Sequence, residues 1–329
     1  MWNEPDISIE LFPGMRRQIE RKSPESIAAQ NVRTARIIRR NIPDARIGGL
    51  SLAQNSPEFL EKCLVAMGED VKLFEWVIYH GYVFNPDVSY ADVEKQKAVL
   101  KKYMPHARMR QGENGCPSEW VDFNALSFYP WSENSQAKWD MRRMLGDLGH
   151  GCRSTVYTIC DLQYRGPHAP YVNMNRKGLL RCNADRRVIA VKKAYYAVQN
   201  VTAVFDDTVR PSGGRKFRTD DATVSCFAFE TAAGHPILAA WTHGAVDRKT
   251  HVICEDRIPS ESFETRPVVF GWDGRRLQDP VWVDLFTGAV YAFPEKWQIR
   301  HPEGITFVRV PTYDSPFLLT EREAIRLMD

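Results

Sequence analysis

Between Ser23 and Phe205 the hydrophobic positions switch repeatedly between a helical and a strand-like period. Ser23-Pro24-Glu25 supplies an N-cap, a proline at the first helical position and an acid in the first turn. It predicts a helix to about Arg40, with Ile27, Val32, Ala35 and Ile38 near helical spacing. Ser56-Pro57-Glu58 repeats the signal ahead of Phe59, Leu60, Cys63, Leu64 and Met67. Further helices are predicted from Ser89 to Tyr103, from about Ser135 to Leu148 and from Val188 to Phe205. Apolar runs between them predict strands at Ala45–Ala53, Leu73–His80, Arg108–Glu113 and Arg153–Cys160, and the segment at Trp2 reads as a further strand end. Strand and helix in alternation are the pattern of βα units around a parallel sheet.

After Asp207 the pattern changes. Pro211-Ser-Gly-Gly-Arg reads as a turn or linker. Strand-like runs then follow without a convincing helix: Thr223–Glu230, Pro236–Thr242, Thr265–Trp272, Val281–Phe293 and Thr306–Pro311. Closely spaced strands with Gly, Pro and Asp turns predict an antiparallel β-sandwich, with Thr287-Gly288 at the tip of one hairpin. The expected organisation is residues 1–207 as a partial (β/α)8 barrel and 208–329 as the sandwich. Five strands are read before Asp206, where a closed barrel of this type needs eight.

Composition narrows the function classes. The chain has 329 residues, is 43% hydrophobic and 26% charged, and carries a net charge of +3, the profile of an ordinary globular protein. The basic pairs Arg16-Arg17, Arg39-Arg40 and Arg186-Arg187 are scattered among acids, which reads as solvated surface and not as a nucleic-acid patch. No apolar run approaches the ~20 residues that span a bilayer. No signal peptide is read at the start; the compartment is left open between secreted or periplasmic, given an upstream signal, and cytoplasmic. Seven cysteines without a CxxC spacing, and histidines without ligand spacing, argue for neither a metal nor a redox centre, and no organic cofactor is expected. No glycine-rich phosphate fingerprint follows any strand.

The candidate chemistry lies in two carboxylates. Glu113 stands in Gly112-Glu-Asn-Gly115 at a predicted strand's C-terminal end, where α/β barrels carry catalytic groups and where glycines let a ligand approach. Glu4 stands in Trp2-Asn-Glu-Pro5. Two carboxylates facing each other at about 5–5.5 Å can carry out double displacement at a sugar's anomeric carbon, one ionised and one protonated. Glu119 and Glu133, in the same loop region, are rivals to Glu113. Trp120, Phe128, Tyr129, Trp131 and Tyr164 are either core or flat faces for sugar C–H groups, with Trp120 and Trp131 taken as substrate-binding candidates. Asp161 and Gln163, after the last predicted strand, are candidates for bonding substrate hydroxyls.

At this point the motifs resemble those of glycoside hydrolase clan A. Asn3-Glu4-Pro5 is similar to the Asn-Glu-Pro ending the clan's fourth barrel strand, and Gly112-Glu113-Asn-Gly to the seventh-strand nucleophile. His80-Gly-Tyr82 resembles the sixth-strand His-x-Tyr, and Ala45-Arg-Ile-Gly-Gly-Leu-Ser51 the fifth-strand motif of xylosidase-like family 39 members. The resemblance implies that Glu113 is the nucleophile, Glu4 the acid/base, and Tyr82 the residue that holds Glu113, with Asn3 and His80 contacting substrate. It also implies that these are the last five βα units, with the first three barrel strands lacking a counterpart. Open barrel edges would then favour self-association. The expected function is a retaining glycosidase acting on an oligosaccharide or polysaccharide; a non-catalytic remnant or carbohydrate-binding protein is the alternative.

Overall fold

The structure, a computed structural model, describes residues 3–7, 9–10, 18–19, 21–122, 124–165, 172–212, 217–244, 259–274 and 277–325. Trp2 and Phe123 lie outside them. A short antiparallel pair, β1 (Ile9–Glu10) with β2 (Gln18–Ile19), precedes the first helix, α1 (Pro24–Asn41). Ser23 caps α1 by accepting from the Ser26 amide at 3.2 Å, and Ser56 caps α2 (Pro57–Met67) by accepting from the Phe59 amide at 3.3 Å. The two Ser-Pro-Glu signals therefore act as local chemistry requires.

Between and after these helices run three parallel strands in sequential order: β3 (Gly48–Leu52), β4 (Trp76–Tyr79) and β5 (Arg108–Gln111). Helices α1, α2 and α3 (Tyr90–Tyr103) cover one face of this sheet. Ile27, Leu60, Leu64, Val77, Tyr79, Val93 and Met109 form the core between them. Residues flanking the sheet continue the arc through single contacts. On one side Glu4 N donates to Ser51 O at 3.0 Å; on the other, Arg110 and Asn114 make isolated parallel bridges to Arg153 and Val156. The strand expected over Arg153–Cys160 is thus reduced to isolated bridges.

Helix α4 (Glu133–Gly149) is followed by two antiparallel hairpins, β6 (Leu162–Arg165) with β7 (Val172–Asn175) and β8 (Leu180–Cys182) with β9 (Val188–Val191). The last helix, α5, spans Lys193–Val204. The helix expected from Val188 starts later because Val188–Val191, β-branched and apolar, pairs with β8 first.

The remaining strands make two antiparallel sheets. They are β10 (Arg210–Pro211), β11 (Phe217–Thr219), β12 (Val224–Glu230), β13 (Pro236–Thr242), β14 (Arg266–Asp273), β15 (Pro280–Asp284), β16 (Val290–Ala292), β17 (Gln298–His301), β18 (Gly304–Thr312) and β19 (Phe317–Glu321). A six-stranded sheet has the order β10-β12-β13-β19-β15-β16, and a four-stranded one β11-β14-β18-β17. Leu238 and Ala240 of β13 point to Phe270, Trp272 and Phe307 of the smaller sheet. The alternate residues Ile237, Ala239 and Trp241 point the other way, to Ala137, Met141 and Leu145 of α4 and Ala197 and Val201 of α5. Strand β13 is therefore buried on both faces, and full burial of each such large side chain is worth about 1.5–3 kcal/mol. The α4–α5 layer shares one core with the six-stranded sheet; residues 213–215 of the expected turn or linker lie outside the described residues.

The helix that joins these layers carries three buried basic residues, each with a carboxylate partner. Arg142 meets Asp87 Oδ2 at 2.5 Å, and Asp87 Oδ1 accepts from Ser225 Oγ at 2.6 Å and Trp241 Nε1 at 2.9 Å. Arg143 lies 3.3 Å from Asp147, which also accepts from Tyr79 OH at 3.1 Å. Lys138 meets Asp314 at 2.7 Å.

Candidate functional site

The C-terminal ends of β3, β4 and β5 converge on Glu4, His80 and Glu113. One ligand-capable atom from each lies within 4.8 Å of the other two. His80 is buried between the carboxylates, its Nδ1 2.8 Å from Glu4 Oε1 and 3.4 Å from Glu113 Oε2. Glu4 and Glu113 keep partial exposure, 16% and 20% of their side chains, so a solute can reach both. Among the described residues this is the one converging set of three such groups, and its donor chemistry would also suit a divalent cation.

Each member is positioned by backbone geometry. Glu4 adopts φ 49°, and Leu50 and Ser51 adopt 76° and 48°, all in the left-handed region that non-glycine residues rarely visit. The irregularity falls where the β3–β4 register shifts between Gly49 and Leu52. Such a bulge re-aims a side chain; here Ser51 Oγ reaches Asn3 Oδ1 at 3.0 Å and His80 Nε2 at 3.2 Å. Strained conformations of this kind cost about 1–3 kcal/mol each and cluster where function over-determines them. Gln111 Nε2 donates to the carbonyls of His80, at 2.8 Å, and of Glu113, tying the ends of β4 and β5 together.

Tyr82 OH donates to Glu113 Oε1 at 2.9 Å. Burial, reinforced by the negative charge of Glu113, holds the phenol well above its ordinary pKa, so Tyr82 keeps its proton and acts as a donor. The proton inventory around His80 is also constrained. With the Ser51 hydroxyl donating to Asn3, His80 Nε2 must donate to Ser51. Nδ1 lies 2.8 Å from Glu4 Oε1, close enough for the two to share a hydrogen bond.

The other candidates divide. Glu119 is engaged by Arg176 at 2.8 Å and Arg181 at 2.7 Å, and Glu133 by Arg181 at 3.1 Å, so neither rival carboxylate is free at the cleft. Trp120 is 57% exposed and can offer a face to solute. Trp131 corrects the expectation: it is 4% exposed, packs with Phe84 and Tyr129, and gives its Nε1 proton to Leu126 O at 2.7 Å. Asp161 is likewise a buried hub, its oxygens taken by Lys192 Nζ at 2.6 Å, Arg176 Nη1 at 3.1 Å and the amides of Gly178 and Cys182 at 3.1 and 3.3 Å. Gln163 staples hairpins, donating to Ala184 O at 2.8 Å and accepting from Arg186 at 3.1 Å. No oxygen of Asp161 remains for a substrate hydroxyl.

Three residues near the cleft were not singled out from sequence: Ser51, Tyr157 and Lys177. Ser51 ended a quoted motif, which was a usable signal. Tyr157 and Lys177 lie in irregular stretches whose only cue is proximity in space. Tyr157 OH meets Tyr164 OH at 3.0 Å; burial, then that bond and the charges of Glu113 and Glu4, push its phenol up.

No protein-family model matches the chain, and no curated protein sequence matches it. Solved structures do resemble it. The GH51 arabinofuranosidase from Xanthomonas axonopodis pv. citri aligns with a TM-score of 0.50 at 13% identity, over 88% of this chain and 62% of that one. AbfB, a family 51 α-L-arabinofuranosidase from Bifidobacterium longum, aligns with a TM-score of 0.52 at 12% identity, over 91% and 63%. BuGH86, crystallised with neoagarooctaose, aligns with a TM-score of 0.53 at 10% identity, over 97% and 50%. The chain spans less than two thirds of the length of each. These neighbours are glycoside hydrolases of clan A, and the chain has a glycosidase-like fold.

Proposed function

We propose that the chain is a retaining O-glycosidase acting on an oligosaccharide or polysaccharide, with the sheet β3–β5 and its flanks as part of a (β/α)8 barrel. The observation that supports the reading is the convergence of Glu4 and Glu113, far apart in sequence, to within 4.8 Å with a tyrosine donor on one and a bridging histidine between them. This separation suits double displacement and leaves no room for the interposed water of an inverting enzyme.

In this reading a Glu113 oxygen bonds to the anomeric carbon as the bond to the leaving oxygen breaks, and Glu4 gives that oxygen its proton. Glu4 then takes a proton from water, whose oxygen attacks the anomeric carbon. The ester bond to Glu113 breaks and both carboxyl groups return to their starting states. Tyr82 holds Glu113 in the attacking orientation, Asn3 faces the sugar hydroxyl nearest the anomeric carbon, and exposed Trp120 offers a stacking face.

The test is trapping with a panel of 2-deoxy-2-fluoroglycosyl fluorides followed by peptide mass spectrometry. The expected result is a single adduct on Glu113, absent in Glu113→Ala. An adduct on Glu119 or Glu133, or Glu113→Ala retaining turnover on aryl glycosides, would overturn the assignment. Oligosaccharide binding with no turnover and no adduct would favour the non-catalytic alternative.

A further inference from the structure

At the other end of the same strands, away from Glu113, the N-terminal ends of β4 and β5 open into a cavity of about 430 Å³. Its polar wall is arginine: Arg46, Arg108, Arg110, Arg153 and Arg210 line it, with Glu75 as the one carboxylate. Arg46 is engaged, its Nε 2.7 Å from Glu75 and its guanidinium 4.5 Å over the Trp76 ring. Arg210 donates to the carbonyls of Asp207 and Val209.

The other three differ. Among the described residues, no side chain or carbonyl accepts from the guanidinium of Arg108, Arg110 or Arg153. Arg110 and Arg153 are backbone partners across an isolated parallel bridge, so both side chains leave the same face of the sheet toward the cavity. Arg108 and Arg153 are exposed and Arg110 is half-buried, so all three guanidiniums are open to a solute entering the cavity. A guanidinium is a rigid planar fork that matches the oxygens of phosphate, sulfate or carboxylate two at a time. The cavity walls also exclude part of the solvent that would otherwise screen the charge.

We propose that this cavity binds a ligand carrying two or more phosphate or sulfate groups, gripped by Arg108, Arg110 and Arg153. The site stands apart from the Glu4–Glu113 cleft, and the inference does not depend on the glycosidase reading. The ligand supplies the anionic partner that the described residues do not give these three guanidiniums.

The experiment is isothermal titration calorimetry on the full chain with two probes, inorganic pyrophosphate and a sulfated heparin disaccharide, at about 0.01 M and about 0.15 M ionic strength. Saturable one-to-one binding that weakens with salt is expected for at least one probe; the tighter probe identifies the phosphate or the sulfated-glycan source. The double variant Arg110→Gln with Arg153→Gln is expected to bind at least about tenfold more weakly, while Arg39→Gln on α1 stays within about twofold. Without ligand the double variant should melt close to the parent, because neither guanidinium has a described acceptor to lose. Should it fold poorly, Arg110→Lys with Arg153→Lys keeps the charge and loses the fork, and is expected to weaken binding too. No saturable binding of either probe, or equal weakening in Arg39→Gln, overturns the proposal.

Discussion

The ammonium of Lys177 sits 4.0 Å from the ring centroid of Tyr82, whose hydroxyl donates to Glu113 at 2.9 Å. A buried cation is thus stacked behind the phenol that holds a carboxylate. The charge on Lys177 polarises the O–H toward Glu113 and offsets part of the negative charge gathered by the two glutamates.

That position has a cost that pH exposes. Burial pulls the Lys177 amine down to about 8, against the opposing pull of Glu113, Cys116, Glu4 and Asp140. In the unfolded chain a lysine titrates near 10.4. Between these values the unfolded state binds more protons, so stability contributed by this group rises with pH from about 8 to about 10.4, by about 3 kcal/mol in all. Urea midpoints of the parent minus those of Lys177→Met, followed from pH 7 to pH 10, should show that rise. Below pH 8 the methionine variant should be the more stable of the two. A flat difference would mean that the amine is not desolvated.

Removal of the Tyr82 hydroxyl isolates the bond to Glu113. Tyr82→Phe keeps the ring under Lys177 and leaves Glu113 Oε1 without that donor. Turnover on an activated aryl glycoside is expected to fall about 10²-fold with KM little changed, the signature of an interaction used in the transition state. An unchanged kcat would remove Tyr82 from the proposed machinery.

Asp87 is the joint between the α/β half and the six-stranded antiparallel sheet. Its burial raises the carboxyl, but Arg142, Ser225 and His243 together bring it below the ordinary carboxylate range. Its stabilising share is therefore present above the unfolded value near 3.9 and lost as pH falls through the lower folded value. Asp87→Ala strands Arg142 as a buried unpaired charge and should cost about 3–5 kcal/mol, read as a drop in the denaturant midpoint. Arg142→Met paired with Asp87→Asn should recover much of that loss.

Gly115 fixes the loop that carries Glu113. A Cβ there would run into the backbone carbonyl of Tyr157, which cannot swing away as a side-chain end would. Gly115→Ala is expected to destabilise the fold by about 1–3 kcal/mol. It should also reduce trapping of Glu113 by the fluoroglycoside, because the loop must move. Normal labelling kinetics in a folded Gly115→Ala protein would show that the loop tolerates the shift.

What could be read from the chain alone was whatever short-range chemistry dictates. The Ser-Pro-Glu starts of α1 and α2 need only their own neighbours, and the structure has both caps. The runs of β12, β13, β14 and β18 announce strands because they are short, rich in β-branched and aromatic residues, and bounded by turn residues. Glu4, His80, Tyr82 and Glu113 stood out because they end predicted strands, and strand ends on one side of a parallel sheet converge.

Tertiary structure decided the rest, because the deciding partners are distant in sequence. Trp120 and Trp131 look alike in the chain, yet packing against Phe84 and Tyr129 buries only the second. Asp161 resembles a free strand-end carboxylate until Lys192 and Arg176 fold back onto it. Residues 153–160 have strand composition but find only isolated bridging partners, while Val188–Val191, read as helix, finds a strand in β8. Sequence assigned the residue types and their local conformations; only the closed chain set which charges are paired, which rings are covered and which three arginines face an open cavity. Burial and electrostatic pairing depend on three-dimensional distance, and that distance exists only once the chain has folded.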